Sequence, residues 1–387
     1  MSSQKRMIVI PGMDIGGAEL QLMQRLALFP EFEMTLVILS DRHALLQHIP
    51  LPNDKINLYN QPALRYLNGR GLLKAIPIAW KMMRYCRARN IRDITAHLPM
   101  AHWTARWVIL FSYLLFYRVR LIVYHHSEQY KVNPVRGLAQ RIFTHVQSML
   151  AYITDVGNIF VSEAVKENIS RHQYVRNGVV IRNLVRETTC DAALAQGMLT
   201  AKEKSFQKYI VIPGRIERVK GQVFFVQALT TELIERIRST NTLIVFAGGG
   251  SDERELKNRV PDNLLGNILI TGTLEHAMLL SYMSLADLVV IPSLSEGFGI
   301  TLVESMMLKR NVISSDAGGL KETIHGSNAI EWFTCGNAAV LQQKLTTFFA
   351  GELSFQPEKA YAYYRANFSP EAYREALLQY LTHTLPA

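Results

Sequence analysis

Cysteine is scarce in this sequence of 387 residues, which contains only Cys86, Cys190 and Cys335. The three are widely separated and stand at none of the spacings that are typical of a zinc site. This usage argues against a disulfide framework and is typical of proteins in a reducing cytoplasm. We therefore expect a cytoplasmic protein with neither a disulfide frame nor a zinc centre.

Long apolar runs, internal repeats and low-complexity tracts are also missing. Only a short apolar strand and a loop follow residues 2–6, so we expect no secretory signal peptide. A conspicuous apolar stretch runs from Trp103 to Tyr117, but its roughly ten to fourteen apolar residues are too few for a membrane span. The stretch is predicted either as a core helix of the first domain or as a segment that dips into a membrane interface.

Negative charge is sparse in the first half of the chain. Residues 1–180 contain 22 Lys and Arg against 11 Asp and Glu, a net charge of +11, whereas residues 181–387 contain 20 against 21, a net charge of −1. The excess is concentrated between Arg65 and Arg92, where basic and apolar residues interleave. Such a basic amphipathic helix can lie on an anionic bilayer, or it can be a solvated helix whose apolar side packs on a sheet.

The chain does contain alternating strand and helix patterns, which predict an α/β protein. Because its length exceeds the roughly 250–300 residues of a single core, we expect two domains. The predicted first domain spans residues 1–183, a polar linker spans 184–207, and the second domain spans 208–366. A terminal helix follows over 367–387, with Ser369 as its cap and Pro370 at its first position.

The segment from Ser295 to Glu304 places two carboxylates on either side of a glycine-flanked turn that opens a helix. The apolar run at 286–291 predicts a buried parallel strand, and the helix begins near Thr301. Glycines let backbone N–H groups approach a ligand, and a helix N-terminus favours an anion such as phosphate. Glu296 can accept hydrogen bonds from sugar hydroxyls and Glu304 from a ribose diol, although each can also be an ordinary surface acid near a helix start.

A second cluster lies between Pro213 and Gly221, directly after the predicted strand 209–212. Arg215 offers a planar fork for two phosphate oxygens, and Lys220 offers a compact positive charge. Together they can neutralise a leaving diphosphate as its charge develops. The alternative is an ordinary basic loop.

Two further features lie in the N-terminal half. Gly16 and Gly17 follow the predicted strand 7–10 and free the backbone at a helix start, as a phosphate loop or a tight turn would require. His125 and His126 end the predicted strand 121–124 at its carboxyl end, where open α/β sheets place ligands. Each histidine can also be a structural residue that caps the strand through a hydrogen bond.

The segment from Glu296 to Glu304 resembles the E-x7-E motif of the retaining glycosyltransferases of family four, and residues 316–324 are similar to that family's segment beside the nucleotide. The resemblance implies the GT-B fold, with two Rossmann-like domains that face an interdomain cleft and a C-terminal helix that crosses back to the first domain. One departure lies at Leu308 to Val312, where the family usually has a Gly-x-Pro turn.

The resemblance also assigns roles to individual residues. The implied catalytic residues are Glu296, Arg215, Lys220, His125 and His126. The implied donor-binding residues are Gly16, Gly17, Arg215, Lys220, Glu296, Gly297, Phe298, Gly299, Ile300 and Glu304. Arg215 and Lys220 would stabilise the leaving diphosphate, and Glu304 would hold the ribose. The sequence contains no Asp-x-Asp motif, so we expect activity without a metal or another cofactor.

We therefore predict a retaining hexosyltransferase that moves a sugar from a nucleoside diphosphate, with UDP favoured, to a glycan hydroxyl. Lipopolysaccharide, O-antigen or capsule biosynthesis is the expected pathway, with a lipid-linked or oligosaccharide acceptor. The basic N-terminal half predicts peripheral contact with the anionic inner face of the plasma membrane. The alternatives are a sugar-nucleotide epimerase of GT-B shape and a basic nucleic-acid-binding protein, although no nucleic-acid reader motif is present.

Overall fold

The structure of the protein is a computed structural model that describes residues 5–14, 17–65, 67–188, 190–191, 195, 197 and 206–384. The chain forms two compact units. Unit 1 consists of Met1–Leu184 together with Pro370–Ala387, and unit 2 consists of Val185–Ser369. The terminal segment therefore belongs to unit 1, although it follows unit 2 in sequence.

Unit 1 is built on a sheet of seven parallel strands in the order β3-β2-β1-β4-β5-β6-β7. The strands are β1 (Lys5–Ile10), β2 (Glu33–Ile38), β3 (Ile56–Leu58), β4 (Asp93–His97), β5 (Arg120–His125), β6 (Asp155–Phe160) and β7 (Gly178–Val180). The helices before the crossover to unit 2 are α1 (Gly17–Leu26), α2 (Gly69–Arg89), α3 (Pro99–Leu114), α4 (Gln129–Val132), α5 (Gly137–Thr154) and α6 (Glu163–Ser170).

Alternation along β1 divides the core of unit 1 between the two faces of the sheet. Met7 and Val9 belong to a buried cluster with α2 and α3, whereas Ile8 and Ile10 belong to a second cluster with α1. Successive side chains of a strand point to opposite faces, so a strand buried on both faces reads as a continuous apolar run. The predicted strand at 7–10 is confirmed.

The basic segment and the apolar stretch predicted in this half form α2 and α3, which pack on each other. The apolar side of α2 is buried, and so is most of α3, including Ala105, Val108 and Ile109. The packing interpretation of α2 and the core-helix interpretation of α3 are therefore confirmed. No helix within the described part of the chain combines the length and apolar character needed to cross a bilayer.

A buried ion pair joins α3 to β6. Arg106 donates from Nε and Nη2 to the two carboxylate oxygens of Asp155, at 3.1 and 2.8 Å. Its Nη1 donates to Gln147 on α5 at 2.7 Å, and Thr154 donates to Asp155 at 2.8 Å. The two charged side chains are 1% and 0% exposed, so nearly every polar atom of the pair has a protein partner.

The C-terminal helix, Pro370–Thr384, completes unit 1 and buries Tyr373, Leu377, Tyr380 and Leu381. A side chain on Gly157 of β6 would meet the Tyr380 hydroxyl at 2.1 Å, so glycine is required where the helix approaches the sheet. The tyrosine donates to the backbone oxygen of Asn177 at 2.8 Å. The predicted helix start at Pro370 is confirmed.

Unit 2 contains six parallel strands in the order β10-β9-β8-β11-β12-β13. They are β8 (Lys208–Pro213), β9 (Thr242–Ala247), β10 (Ile268–Ile270), β11 (Leu288–Ile291), β12 (Val312–Ser315) and β13 (Glu331–Phe333). The helices are α7 (Gln222–Gln227), α8 (Thr231–Ser239), α9 (Glu253–Arg259), α10 (His276–Ser284), α11 (Ile300–Met307), α12 (Gly319–Ser327), α13 (Ala338–Ala350) and α14 (Pro357–Phe368). The strand order reverses between β8 and β11, and ligands of such sheets bind beyond the carboxyl ends at this switch point.

The turn after α11 contains the segment from Leu308 to Val312, where the sequence lacks the Gly-x-Pro turn that the resemblance leads us to expect. Lys309 has a φ of 54°, in the left-handed region that costs a non-glycine residue roughly 1 kcal/mol. Its ammonium lies 2.8 Å from the Glu358 carboxylate and 4.6 Å from the centre of the Tyr361 ring, both on α14. These contacts tie the turn to α14.

Candidate active site

Three loops of unit 2 meet beyond the carboxyl ends of β8, β11 and β12. The backbone N–H of Leu294 donates to Val219 at 2.8 Å, which ties the loop after β11 to the loop after β8. Ser315 at the end of β12 donates to the Ser293 carbonyl at 2.6 Å. The N–H of Gly319 donates to the Glu296 carbonyl at 2.9 Å. The loops therefore form one bonded edge that fixes the side chains they carry.

Two glycines permit this close approach. Gly221 has a φ of 73°, and a side chain there would lie 1.9 Å from the Pro292 carbonyl oxygen. Gly299 has a φ of 92°, and a side chain there would lie 2.3 Å from a methyl group of Leu320. The left-handed backbone strains any other residue at both positions, and at Gly221 the obstructing atom belongs to the backbone and cannot move aside.

Lys220 and Glu296 form the central charged pair of this edge. The lysine ammonium donates to Glu296 Oε2 at 2.6 Å, and Ser293 donates to the same oxygen at 3.4 Å. The two charged side chains are 22% and 13% exposed, so the pair is partly shielded from water yet reachable by a ligand. The contact brings two residues that are 76 positions apart in sequence to one point at this edge.

Arg215 lies in the same loop as Lys220 but is 60% exposed, and its Nη1 lies 2.8 Å from Glu217. The backbone of the loop is more firmly held, because Gln222 donates to the carbonyls of Arg215 and Gly214 at 3.0 and 3.4 Å. Gln222 is 2% exposed and was not predicted as a site residue. The guanidinium therefore lies in an exposed ion pair that a ligand can reach, while its backbone stays in place.

Glu304 lies on the first turns of α11 and is only 3% exposed. Its Oε1 is 2.6 Å from His276 Nε2, at the start of α10. This hydrogen bond to Glu304 raises the pKa of His276 above its ordinary value, against the opposing effect of burial. His276 was not predicted from the sequence, where its signal is its position just after β10 at the carboxyl edge of the sheet.

The contact between His276 and Glu304 predicts a pH-dependent stability. Because the pKa of His276 is raised in the folded state, its contribution to the free energy of unfolding is fully present below about pH 6.5, the ordinary pKa of histidine. That contribution is lost as the pH rises through the pKa of His276 in the folded protein. We expect His276→Gln to lower the free energy of unfolding by about 1–2 kcal/mol at pH 6 and by less at pH 9. Urea unfolding at the two pH values tests this, with exposed His325→Gln as the control. An equal loss at both values would contradict it.

The remaining predicted residues of unit 2 lie between Glu296 and Glu304. Phe298 is 4% exposed and packs edge to face on Phe368 with ring centres 5.6 Å apart, so its ring anchors the loop. Gly297 and Gly299 carry no side chains, so they do not cover the backbone on either side of Phe298. Ile300 begins α11. The first N–H groups of a helix carry partial positive charge, which suits a phosphate oxygen.

The predicted N-terminal residues belong to unit 1. Gly16 lies outside the described residues, and Gly17 begins α1. His125 is 4% exposed, its Nε2 lies 3.1 Å from Asn158 Oδ1, and its ring stacks on Phe160. His126 Nε2 lies 3.0 Å from His97 Nδ1. His125 thus has the contacts of a structural histidine, and its proposed place in a catalytic centre stays a prediction.

Burial lowers the pKa values of these histidines, to about 4 for His125 and well below the ordinary value for His97, His102 and His126. The folded state keeps them neutral, whereas the unfolded chain takes up protons near pH 6.5. Their contribution to stability is therefore present above pH 6.5 and lost as pH falls toward 4. We expect the unfolding free energy to fall by up to about 1.4 kcal/mol per pH unit for each histidine. Urea unfolding between pH 6.5 and 5.5 tests this, and a flat profile would contradict it.

The site can therefore hold an anion and several hydroxyl groups. Lys220, Arg215 and the start of α11 supply positive charge, and Glu296 and Glu304 supply hydrogen-bond acceptors. In the described part of the chain, no group of three or more His, Cys, Asp or Glu is arranged to hold a metal ion.

Residues 200–368 match the family model described as glycosyl transferases group 1. The match covers most of unit 2 and less than half of the chain. One similar protein is the alpha-D-kanosaminyltransferase of Streptomyces kanamyceticus, which is 32% identical over 116 residues, 30% of this chain and 29% of that protein. Another is the lipopolysaccharide core biosynthesis mannosyltransferase LpsB of Rhizobium meliloti, 31% identical over 147 residues, 36% of this chain and 38% of that protein. The chain thus spans only about a third of the length of these curated relatives.

The fold of the chain is also found in solved structures. Anabaena Alr3699/HepE in complex with UDP and glucose has a TM-score of 0.77 and 18% identity, over 98% of this chain and 99% of that one. At this identity the likeness concerns the fold alone. The predicted GT-B fold class, with two Rossmann-like domains of parallel sheet, is confirmed.

Proposed function

We propose that the protein is a retaining glycosyltransferase that moves a sugar from a UDP-sugar to a hydroxyl group of a glycan. The observation that carries the proposal is the Lys220–Glu296 pair at the switch point of unit 2, with Glu304 on the helix that follows. The family of this unit supports the reaction class. UDP and glucose in the HepE complex support the choice of donor.

The geometry suggests how the residues would share the work. Lys220 and Arg215 would stabilise the charge that develops on the leaving diphosphate, and the N-terminus of α11 would add partial positive charge. Glu304, held by His276, would accept hydrogen bonds from the ribose with its second oxygen. Glu296 would orient the sugar. Attack on the same face, assisted by the leaving phosphate, would retain the anomeric configuration, so we assign no protein base.

Binding of nucleotides tests the donor site. We would measure thermal stabilisation and calorimetric binding with UDP, GDP, ADP, CMP and their common sugar conjugates, and repeat both with Arg215→Ala and Glu304→Ala. We expect the protein to bind UDP more tightly than the other nucleotides. Both variants should bind UDP at least about tenfold more weakly, because each loses one charged hydrogen bond to it. Failure of every nucleotide to bind, with clear binding of DNA or RNA instead, would overturn the assignment.

Product analysis tests the reaction itself. Proton NMR of the glycoside should show the anomeric configuration of the donor, and EDTA should leave the rate unchanged if Arg215 and Lys220 replace a metal. Conversion of the donor without any acceptor into a different sugar nucleotide would identify an epimerase instead. Similarity to LpsB supports lipopolysaccharide, O-antigen or capsule precursors as the first acceptors to assay.

We also propose that unit 1 contacts the anionic inner face of the plasma membrane through α5 rather than α2. The apolar strip on α5 and at the end of α3 comprises Leu114, Phe116, Leu138, Ile142, Met149, Tyr152 and Ile153, all of which are exposed. The Tyr113 hydroxyl donates to the Ile153 carbonyl at 3.2 Å, which joins the two ends of the strip. Exposed Arg118, Arg136 and Arg141 flank the strip, which suits an anionic lipid surface.

Vesicle sedimentation tests the membrane proposal. We expect binding to vesicles that contain phosphatidylglycerol, weaker binding to pure phosphatidylcholine, and at least about a tenfold loss in Leu114→Ser/Phe116→Ser. Leu265→Ser removes an exposed leucine from unit 2 and serves as the matched control. Equal binding of both variants, or no binding at all, would overturn it.

A further inference from the structure

The outward side of α2 in unit 1 carries positive charge that the chain itself does not pair. The helix has 21 residues and contains no Asp or Glu. Its apolar side is buried against α3, and the opposite side is exposed. At 3.6 residues per turn, five exposed cations fall within about 140° of the helix circumference. These five, which we call the basic face, are Arg70, Lys74, Lys81, Arg84 and Arg87.

The basic face has no counter-charge within the part of the chain that the structure describes. None of its five side chains forms an ion pair there. Neighbouring cations stand three or four positions apart, at Arg70 and Lys74 and again from Lys81 to Arg87, and like charges at this spacing repel each other. An anion that lay on the face would remove this repulsion.

Three other helices of the chain show the ordinary arrangement of exposed charge. Each of α6, α8 and α9 places an acid three or four positions from a base, a spacing at which opposite charges stabilise a helix. The pairs are Glu163–Lys166, Glu232–Arg236, Glu253–Lys257 and Glu255–Arg259. The lack of acids on α2 is therefore a local feature of this helix.

Apolar side chains stand among the cations of the basic face. Leu73 is 73% exposed and Trp80 is 39% exposed, and Pro77 is exposed between them. The Trp80 ring meets the Phe111 ring of α3 edge to face, with ring centres 5.3 Å apart, which holds the indole in place. The face of an aromatic ring carries partial negative charge and attracts C–H groups such as those of a sugar ring.

This composition favours a glycan over a lipid surface or a nucleic acid. A helix that lies in a bilayer inserts a broad apolar side, but the broad apolar side of α2 is already buried in the core of unit 1. A single-stranded nucleic acid stacks successive bases on several aromatic rings, whereas α2, which is described in full, exposes only Trp80. Cations beside one ring suit a hydrophilic chain that alternates acidic groups with C–H surfaces.

The position of α2 fits a glycan that extends from a ligand site. The helix follows β3 and leads to β4, so in this parallel sheet it begins at the carboxyl ends of the strands and returns to their amino ends. Ligands of such sheets bind beyond the carboxyl ends. The basic face therefore starts at that edge of unit 1 and leads away from it over about 25 Å between Arg70 and Arg87.

We propose that the basic face binds an acidic glycan, with the acidic groups on its five cations and a sugar ring against Trp80. Charge complementarity and the exposed indole carry the assignment. Since the assignment rests on the proposed function, the bound glycan is the part of the acceptor that lies beyond the reacting sugar. The acceptor of the proposed reaction is then an anionic glycan.

The first test compares an acidic glycan with its neutral form on the full chain. A linear oligogalacturonate of about eight sugars, long enough to follow α2, is titrated by calorimetry beside the same oligosaccharide with methyl-esterified carboxyl groups. We expect the acid to bind saturably and to bind more weakly as NaCl is raised, because salt screens exposed charges. The ester should bind at least about tenfold more weakly. Equal binding of the two forms, or no binding of the acid, would overturn the proposal.

Two variants of equal net charge locate the binding surface. Lys81→Gln/Arg84→Gln removes two cations from the basic face, and Arg236→Gln/Arg238→Gln removes two exposed cations from α8 in unit 2. All four side chains are exposed, so we expect both variants to fold. The first variant should bind oligogalacturonate about tenfold more weakly, and the second should stay within about twofold. Equal responses would mean attraction to net charge alone and would refute a site on α2.

A third variant tests whether sugar rings are recognised. Trp80→Leu keeps every cation and should weaken oligogalacturonate about threefold, while an acidic peptide of eight glutamates, which has no sugar ring, should bind as before. An equal effect on both ligands, or tighter binding of an RNA octamer than of oligogalacturonate, would rule out a glycan as the occupant.

UDP is titrated into the same samples, so that the two proposals can fail separately. Binding of UDP without binding of oligogalacturonate would leave the transferase assignment standing and reject the glycan surface. Binding of oligogalacturonate through α2 without binding of any nucleotide would support the surface and reject the donor site.

Discussion

Replacing Lys220 with alanine is expected to lower kcat/KM for the sugar donor by about three orders of magnitude. The ammonium lies 2.6 Å from Glu296 and is shielded to 22% exposure, so it acts in a medium where its charge is less screened than in water. Its removal takes away a positive charge that attracts the developing diphosphate. The negative charge of Glu296 would then remain and repel that group. Binding of UDP should weaken less than turnover, because the charge on the leaving group grows in the transition state.

Steady-state kinetics with the donor selected by the nucleotide screen, together with calorimetry for UDP, measure the two effects. Lys257→Ala is the matched control, since this lysine also pairs with a glutamate at 2.7 Å but lies on α9 and is 58% exposed. The control should keep its activity within about twofold. A loss below tenfold in Lys220→Ala would contradict the role that we assign to this residue.

A double-mutant cycle with Glu296→Gln separates two effects of Lys220→Ala, the lost attraction of Lys220 for the diphosphate and the repulsion of the diphosphate by Glu296. If Glu296 repels the diphosphate once Lys220 is gone, UDP should bind more tightly to the double variant than to Lys220→Ala. Turnover should stay low in the double variant, because Glu296 is also expected to orient the sugar. Full additivity of the two changes would show that the residues act independently despite their contact.

The strands and loops of the candidate donor site could be predicted because their signals are local. Apolar runs followed by Pro213 or Pro292 mark the ends of β8 and β11, and parallel strands bring their carboxyl ends to one edge. Lys220 and Glu296 were therefore expected near each other. Their direct contact was not, since it depends on how Gly221 lets one loop lie against the other.

His276 and Gln222 were missed for the same physical reason. Each acts through one contact, His276 with Glu304 across 28 positions and Gln222 with the Arg215 backbone across seven. Neither contact leaves a periodic or compositional trace in the sequence. The basic helix α2 was left with two interpretations, because its pattern fits both a membrane surface and a buried packing face. The contact of its apolar side with α3 supports the packing face.

The largest expected effect on stability follows from the ion pair between Arg106 and Asp155. Asp155→Ala should lower the free energy of unfolding by about 3–5 kcal/mol, because Arg106 would keep its charge inside a core where it is 1% exposed. Gln147 would remain as a neutral partner and would not replace the lost carboxylate. Urea unfolding monitored by circular dichroism measures the change, and Asp262→Ala, on a short helical turn of unit 2, controls for loss of an acid.

Removing both charges should repair most of the damage. In Arg106→Met/Asp155→Leu no buried charge remains, and apolar replacements of a buried pair are often neutral or stabilising. We expect the double variant to be more stable than Asp155→Ala by about 2 kcal/mol or more, even though it carries one more substitution. If it were less stable, the pair would contribute net attraction beyond its desolvation cost. In either case the comparison measures what a buried guanidinium with a carboxylate partner contributes to the stability of unit 1.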